Sequence, residues 1–575
     1  MQKKWLVQRA PDSEQVSHLS QELNIHKNLA AVLVNRGILN KKDAEYFFRP
    51  QLAHLHDPFL MAGMQEAVLR LNAAIANNEK VLIFGDYDVD GTTSVALVYS
   101  YLLEFYPNLD FYIPDRYNEG YGISTQGIDY ANDNGISLII ALDCGIKAHD
   151  KIAYAKQKNI DFIVCDHHLP GDTLPDAIIL DPKRFDCKYP YKELSGCGVG
   201  FKFMQAWSLN NHVDPQKLFQ YIDFCAVSIA ADIVPLTGEN RVLAYHGIKK
   251  LNEAPSLGLQ TLLQVSKKNN EITITDLLFV IGPRINAAGR ITNGRYAVEL
   301  LISADEQKAL EFAAMINDNN IERRVLDKKI TEEALAVIKA NPKLQNSKTT
   351  VLYNADWHKG VIGIVASRVT EHYYRPTIML TNSNGKATGS ARSVKDFDIH
   401  AAIEQCADLL EQFGGHKYAA GLTIKTENIE SFTNRFEKIV SETITDDMLI
   451  PSIEIESEIS LDVLFEDMVN GLPKFYRILK QMAPFGPGNL NPVFVAKNVM
   501  DAGYAKVLGD SHLKCWIYQA ANPQLRIDAI GFGLGHFYDA IKNGNPFDIA
   551  FSIEENEWQG NVKLQLNIKD IKINE

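Results

Sequence analysis

Val81-Leu82-Ile83-Phe84-Gly85-Asp86-Tyr87-Asp88-Val89-Asp90-Gly91 is the stretch on which the fold turns. A short apolar run ends in three carboxylates at alternate positions and a glycine, and Thr92-Thr93-Ser94 then opens a helical pattern. Alternate side chains of an extended segment leave the same face, about 6.6 Å apart at roughly 3.3 Å rise per residue. Such a row repels itself: two unit charges about 4 Å apart cost about 4 kcal/mol at an effective dielectric near 20. A cation belongs there, and oxygen-only ligands favour Mg²⁺ or Mn²⁺. Taken alone, Asp-x-Asp-x-Asp-Gly is more often an acidic turn facing water. It also partly matches a calcium loop, but the twelfth position counted from Asp86 is Leu97, where such a loop requires glutamate.

The totals bound what surrounds this stretch. A chain of 575 residues implies three or four domains at about 150 residues each. With 46% hydrophobic and 22% charged residues, the composition is that of an ordinary soluble globular protein. The stretch Met1 to Arg9 lacks the apolar core of a signal peptide, and no apolar run approaches the ~18 residues needed to span a bilayer. A cytoplasmic protein without membrane association is expected. The seven cysteines are scattered and include no C-x-x-C pair, which suits reduced, buried thiols and disfavours zinc. A net charge of −13 excludes affinity for nucleic acid spread over the whole surface, so any such path is a local groove.

Residues 1 to about 70 read as helical and irregular. From about 78 to 235, short apolar runs alternate with helical stretches, the mark of a parallel βαβ sheet. The runs are Val81–Phe84, Ser137–Leu142, Phe162–Cys165 and Ala177–Leu180. Ligands of open α/β sheets bind at the carboxyl ends of strands, so the groups there should converge. Those groups are Asp86 to Asp90, then Asp143, then Asp166-His167-His168; Asp232 follows a helical pattern instead. A lone histidine is more often structural than a ligand, but a pair at a strand end facing two acidic strand ends reverses that. Ser195-Gly196-Cys197-Gly198-Val199-Gly200 opens a helix and could offer amides to a phosphate, although a close packing turn is the commoner use.

With these groups in place, the chain resembles a known family. Asp-x-Asp-x-Asp-Gly, Leu142-Asp143-Cys144-Gly145, Asp166-His167-His168 and Ala231-Asp232-Ile233-Val234-Pro235 are similar to the four motifs of the DHH phosphoesterases. Within that family the likeness is to bacterial exonucleases specific for single-stranded DNA. It continues through Gly282-Pro283-Arg284, Ala288-Gly289-Arg290, Gly389-Ser390-Ala391-Arg392-Ser393, Phe413-Gly414-Gly415-His416, Pro484-Phe485-Gly486-Pro487-Gly488-Asn489 and His512-Leu513-Lys514. The resemblance implies an α/β chain. A DHH parallel-sheet domain (71–300) and an α/β DHH-associated domain (345–448) are joined by a long helix or two (301–344). A helical region (1–70) precedes them and a C-terminal β-barrel of the OB-fold kind (449–575) follows.

The resemblance also implies roles. Two Mn²⁺ or Mg²⁺ ions would serve phosphodiester hydrolysis, which needs an activated water, neutralised charge and help for the leaving oxygen. Asp88 would bind one ion and Asp90 the other, with Asp143 bridging them and sharing in the catalysis. His167 and Asp232 would complete the second site. His168 would face the scissile phosphate as a charge stabiliser or proton donor. Some relatives, notably the pyrophosphatases, carry a histidine where this chain has Phe84, so Asp86 stands in as the first-site ligand, making that site richer in oxygen. Asp166 would either fix a histidine tautomer or close a turn. Arg290, Ser390, Arg392, Ser393 and His416 would bind phosphate or sugar, against the default reading of surface or ion-paired side chains. In the C-terminal barrel, His512, Lys514, Trp516 and Tyr518 share one strand face, basic and aromatic as in strand-tracking barrels, or else packed on a neighbouring domain.

The activity so implied is 5′-to-3′ exonucleolysis of single-stranded DNA with release of 5′-mononucleotides, in DNA repair and recombination. A monomer working with a single-strand-binding protein and a repair helicase is expected. Hydrolysis of pyrophosphate, a cyclic dinucleotide or very short RNA is the alternative from the small-molecule class, and Phe84 argues against its pyrophosphatase branch. A non-catalytic scaffold is disfavoured by the intact Asp88, Asp90, Asp143, His167 and Asp232.

Overall fold

The computed structural model describes residues 3–573 apart from 269, 510, 543, 559 and 560. Its first sheet has five parallel strands in the order Leu109–Tyr112, Lys80–Gly85, Ile136–Leu142, Asp161–Cys165 and Ile178–Leu180. The four apolar runs singled out above are strands. Leu109–Tyr112 joins them at the edge, half-buried and too short to stand out by hydropathy. The runs are near-continuous because both faces are covered. Val81, Ile83, Leu138 and Ile140 enter one core cluster, and the alternate Leu82, Phe84, Ile139 and Ala141 enter another on the opposite face.

Strand order sets where a ligand can sit. Lys80–Gly85, the first strand of this sheet along the chain, lies between Leu109–Tyr112 and Ile136–Leu142, so successive crossovers leave it in opposite directions and open a crevice at the strand ends. Gly85 pairs with Leu142, Leu142 with Cys165, and Cys165 with Leu180. Asp86, Asp143, Asp166 and Asp181 therefore all leave the sheet at one level.

The segment expected to hold one or two connecting helices is one helix, Glu306–Ala340, opened by the Asp305 side chain accepting from the Lys308 N–H. Its 35 residues run about 50 Å. Ala309, Ala313 and Ile316 bury into the core of the first sheet, while Ile330, Ala334 and Ile338 bury against Val365 and Val369 of the following helix Ile362–Tyr373. Beyond it lies a mixed five-stranded sheet in the order Leu410–His416, Ala419–Ile424, Lys386–Arg392, Thr377–Ser383, Thr350–Tyr353.

Residues 52–449 make one compact unit, and 1–51 with 450–575 make the other. In the second unit Phe494–Asp501, Phe547–Trp558, Asn561–Ile573, Ile527–Gly531 and His512–Gln519 pair in sequence. Phe494–Asp501 also pairs with His512–Gln519, closing a five-stranded barrel. Leu29 and Leu33 of the helix Lys27–Asn35 pack in the same cluster as Phe475, Phe494 and Phe551, and Lys4–Val7 pairs in parallel with Ser452–Ile455. The first 51 residues thus share the barrel's core. All seven cysteines are buried and unpaired. Among the described residues no helix is long and apolar enough to cross a membrane.

Candidate metal centre

The loop after Lys80–Gly85 turns at once into the helix Val89–Leu103, and Asp88 caps it, its Oδ1 accepting the Gly91 N–H at 3.0 Å. Gly91 has to be glycine because a Cβ there would collide with the Asp86 backbone. Asp90, in the first turn, is buried. Its Oδ2 accepts the Gly196 N–H at 2.7 Å, and its Oδ1 accepts the Cys197 N–H at 2.8 Å and the Ser228 hydroxyl at 2.7 Å. The glycine-rich turn thus offers its first amides to this carboxylate, not to a phosphate. A Cβ on Gly196 would stand 2.6 Å from the Asp143 Cβ, so only glycine lets the turn come so close.

Four groups distant in sequence meet here. The His167 Nε2 lies 3.1 Å from Asp143 Oδ1, 3.6 Å from Asp90 Oδ2 and 3.6 Å from Asp232 Oδ2. Asp143 follows its strand in the left-handed region (φ 58°), and Asp232 caps the helix Ile222–Ala231. The next residue, Ile233, also has a left-handed φ of 60°, a strained state for a β-branched side chain. Neither ring nitrogen of His167 has a hydrogen-bond partner, and neither does Asp86 Oδ2, although all three are buried.

The electrostatics are those of a site built around a cation. Burial holds the His167 imidazole below its usual value and so favours the neutral ring, whose Nε2 faces the carboxylates. Burial, then the neighbouring Asp88, pushes Asp86 up to about 8. Burial, then Asp90 and Asp88, pushes Asp232 up to about 8 and Asp143 well above the carboxylate range. Asp88 rises through burial and then Asp90. Oxygen and nitrogen atoms spaced like these surround a small dication, whose ligands sit roughly 3 Å apart when bonds are about 2.1 Å. Asp90, His167 and Asp232 form one such triplet and Asp143, His167 and His168 another, with ligand atoms within 4.8 Å of one another. Asp86 and Asp88 adjoin these triplets without belonging to either. Phe84, at the position where some relatives carry histidine, stacks on Tyr112 in the core.

Asp166 closes a turn and also lies against a histidine ring. Its Oδ1 accepts from the His167 and His168 amides and lies 2.7 Å from the His168 Nδ1, while its Oδ2 accepts the Ile146 N–H at 2.9 Å. The histidine it orients is His168. Burial works against the His168 imidazolium, but the Asp166 hydrogen bond and charge outweigh it and raise His168 to about 9. Burial likewise opposes the Asp166 carboxylate, which His168 nonetheless holds down at about 2. The far side of the ring, Nε2, faces the Tyr121 hydroxyl at 3.3 Å. Sequence reasoning passed over Tyr121, whose one signal is its place between Gly120 and Gly122, both at positive φ.

Arg290 comes within electrostatic reach of Arg392, Arg116 and Arg323, and Arg392 of Arg116 as well; the motifs pointed to neither Arg116 nor Arg323. Burial and that mutual repulsion lower both guanidiniums, a cationic cluster awaiting an anion. Arg290 Nη1 donates to the Gly360 carbonyl at 2.8 Å, and Arg116 lies over the Tyr87 ring at 4.7 Å. Ser390 and Arg392 share one face of the Lys386–Arg392 strand, with Nη1 2.9 Å from the hydroxyl. Ser393 does not join them: its hydroxyl donates to the Phe397 carbonyl and closes its own loop, so that proton is spent. His416, exposed at the sheet's edge strand, is lowered by partial burial and then by His168 and Lys147, so it lies within electrostatic reach of His168. In the barrel, Trp516 is 43% exposed with its ring 4.6 Å from Tyr504, available for stacking. Lys514 is half-buried and paired with Asp528 at 2.6 Å, which spends part of its charge locally.

Comparison with known proteins agrees with this architecture. The DHH family N-terminal domain matches residues 80–229, the DHHA1 domain 346–442 and the RecJ OB domain 467–570. The single-stranded-DNA-specific exonuclease RecJ of Bacillus subtilis is 36% identical over 100% of this chain and 71% of its own length. That of Salmonella typhimurium is 30% identical over 94% of this chain and 95% of its own. The crystal structure of RecJ from Thermus thermophilus in complex with Mn²⁺ superposes with a TM-score of 0.84 at 25% identity, covering 100% of this chain and 80% of that one. A second exonuclease RecJ, bound to manganese, gives a TM-score of 0.60 at 29% identity over 69% of this chain and 98% of that one. The chain belongs to the RecJ family of DHH phosphoesterases.

Proposed function

We propose that this protein is a metal-dependent exonuclease that hydrolyses single-stranded DNA from its 5′ end and releases 5′-mononucleotides. The observation that carries the reading is the convergence of Asp90, Asp143, His167 and Asp232 on one buried point, with His168 and an arginine cluster beside it. Asp86, Asp88, Asp90, Asp143, His167 and Asp232 are the residues that would hold two Mn²⁺ or Mg²⁺ ions. Such a pair, when bound, supplies an activated water and neutralises charge on both the attacking and the leaving oxygen.

The rest is done by side chains. Arg290, Arg392 and Ser390 bind the phosphate and align it with the acid cluster. Asp166 keeps His168 protonated and turned, so that Nε2–H stabilises charge on the phosphate and can pass a proton to the departing oxygen. His416 borders the nucleotide. Trp516 and Tyr504 stack bases of the incoming strand, at ~1–3 kcal/mol per base. The protein acts as a cytoplasmic monomer in repair and recombination, supplied with single strands by a helicase and a single-strand-binding protein.

The test offers purified protein and Mn²⁺ a 5′-labelled single strand, a 3′-labelled one, duplex, pyrophosphate and a cyclic dinucleotide. Immediate mononucleotide release from the 5′-labelled single strand alone is the expected result. Loss of pyrophosphate with the oligonucleotides intact would overturn the reading.

A further inference from the structure

Ser228 lies outside the four motifs and is fully buried. It stands in the helix Ile222–Ala231, one turn before Asp232, whose N–H donates to the Ser228 carbonyl at 2.9 Å. Its hydroxyl donates to Asp90 Oδ1 at 2.7 Å. One residue thus holds both carboxylates of the Asp90, His167, Asp232 triplet, one through its backbone and one through its side chain.

The donors around Asp90 decide which of its oxygens is free. A carboxylate oxygen has about two lone pairs. Those of Oδ1 are both taken, by the Cys197 N–H at 2.8 Å and by the Ser228 hydroxyl. Ser94 Oγ, 3.5 Å from Oδ1, gives its proton to the Asp90 carbonyl at 2.7 Å. Oδ2 accepts the Gly196 N–H at 2.7 Å and keeps one pair, 3.6 Å from His167 Nε2. Asp90 is thereby a ligand through Oδ2 alone.

The two amides belong to the first turn of the helix Gly196–Asn210, whereas the hydroxyl comes from a second helix. Ser228 is itself held in place. Ser195 Oγ, which caps Gly196–Asn210 by accepting the Gly198 N–H at 3.1 Å, lies 2.6 Å from Ser228 Oγ. A hydroxyl has a single proton and the charged carboxylate is the stronger acceptor, so that proton goes to Asp90. About one turn back, Cys225 Sγ meets Cys197 Sγ at 3.9 Å, so small side chains bring the two helices close along the whole contact.

We propose that Ser228 is the positioning residue that sets the metal preference of this site. By occupying Oδ1 it keeps Asp90 to one oxygen. That favours ions of strict octahedral geometry, such as Mn²⁺ and Mg²⁺, over Ca²⁺, which takes roughly six to eight oxygens and accepts both of a carboxylate's. Its carbonyl fixes where the Asp232 end of the same site begins. The assignment rests on the metal-dependent reading above and adds to it which ion the site selects.

The test uses the full chain without nucleic acid. Bound Mn²⁺ is counted by loss of the free-ion EPR signal, and Ca²⁺ is measured by the Mn²⁺ it displaces. In Ser228→Ala the Mn²⁺ affinity is expected to fall roughly tenfold, as when other partners of metal ligands are removed, while Ca²⁺ affinity holds or rises. Ser228→Thr, which keeps the hydroxyl, should keep the parent's preference. Equal losses for the two ions, in a variant whose thermal unfolding matches the parent's, would overturn the assignment and leave Ser228 a packing residue. Unchanged Mn²⁺ affinity would overturn it too. Ser228→Cys, close in volume and a weak donor, carries the measurement if the alanine variant misfolds. Because the titration contains no nucleic acid, it decides the role of Ser228 separately from the nuclease reading, and a parent protein that binds no Mn²⁺ would end that role outright.

Discussion

Asp166 shows how much one side chain can decide. It lies just outside the carboxylate cluster, yet it accepts three amides and holds the His168 Nδ1. The imidazolium this maintains persists to about 9. If protonated His168 assists the departing oxygen, kcat/KM has an alkaline limb near that value. In Asp166→Asn the partner that raises His168 is gone, so the limb moves down toward 6.5, and kcat/KM at pH 8 falls by roughly 30-fold. A pH–rate profile of parent and variant in Mn²⁺ checks this, and an alkaline limb that stays in place excludes the proton-donor role. At this scale the convergence of Asp90, Asp143, His167 and Asp232 was legible because their chemistry is concentrated in short motifs, while Asp86 and Asp88 lie beside the two triplets and not within them. Arg116, Tyr121 and Arg323 were not, since a single arginine or tyrosine in a loop or on a helix has no spacing to betray it. Nor could the residue type alone tell that the Ser393 hydroxyl and the Lys514 ammonium had found partners nearby.

Among the elements, the helix Ile222–Ala231 ends in an unusual way. Ile233 takes a left-handed φ of 60° while remaining 58% exposed, so it stores backbone strain with little packing in return. The strain turns the chain immediately after Asp232. Asparagine adopts this conformation far more readily, and Ile233→Asn is expected to raise stability by about 1 kcal/mol, read as an increase in Tm. A fall in Tm would show that the exposed isoleucine packs better than its accessibility suggests. The same scale explains the glycine-rich turn at Ser195. Its amides were readable as an anion cradle, but the anion is Asp90, brought there by the fold.

Over the whole molecule, residues 1–70 looked like a separate helical region because nothing in them names a partner, but the compact units divide after residue 51. The first 51 share one core with the barrel, where Leu19, Leu29 and Leu33 are fully buried. Each such side chain contributes roughly 1.5–3 kcal/mol by burial. Deleting residues 1–51 is therefore expected to destabilise the segment 450–575, read as faster proteolysis within it while 52–449 stays protected. Equal protection in the truncated and full chains would show that the barrel stands alone.

The parallel sheet, the metal-binding motifs and the barrel could be read from the chain itself. Alternating apolar runs, clustered carboxylates and histidines, and alternate basic and aromatic positions are local patterns, and local patterns survive in one dimension. What only the tertiary structure decided is which charges stay free. Placing Lys80–Gly85 between Leu109–Tyr112 and Ile136–Leu142 opens the crevice that gathers the acids, and the long helix carries Arg323 to within electrostatic reach of Arg290. Whether a polar group is spent or available depends on its neighbours in space, and no spacing along the chain records them.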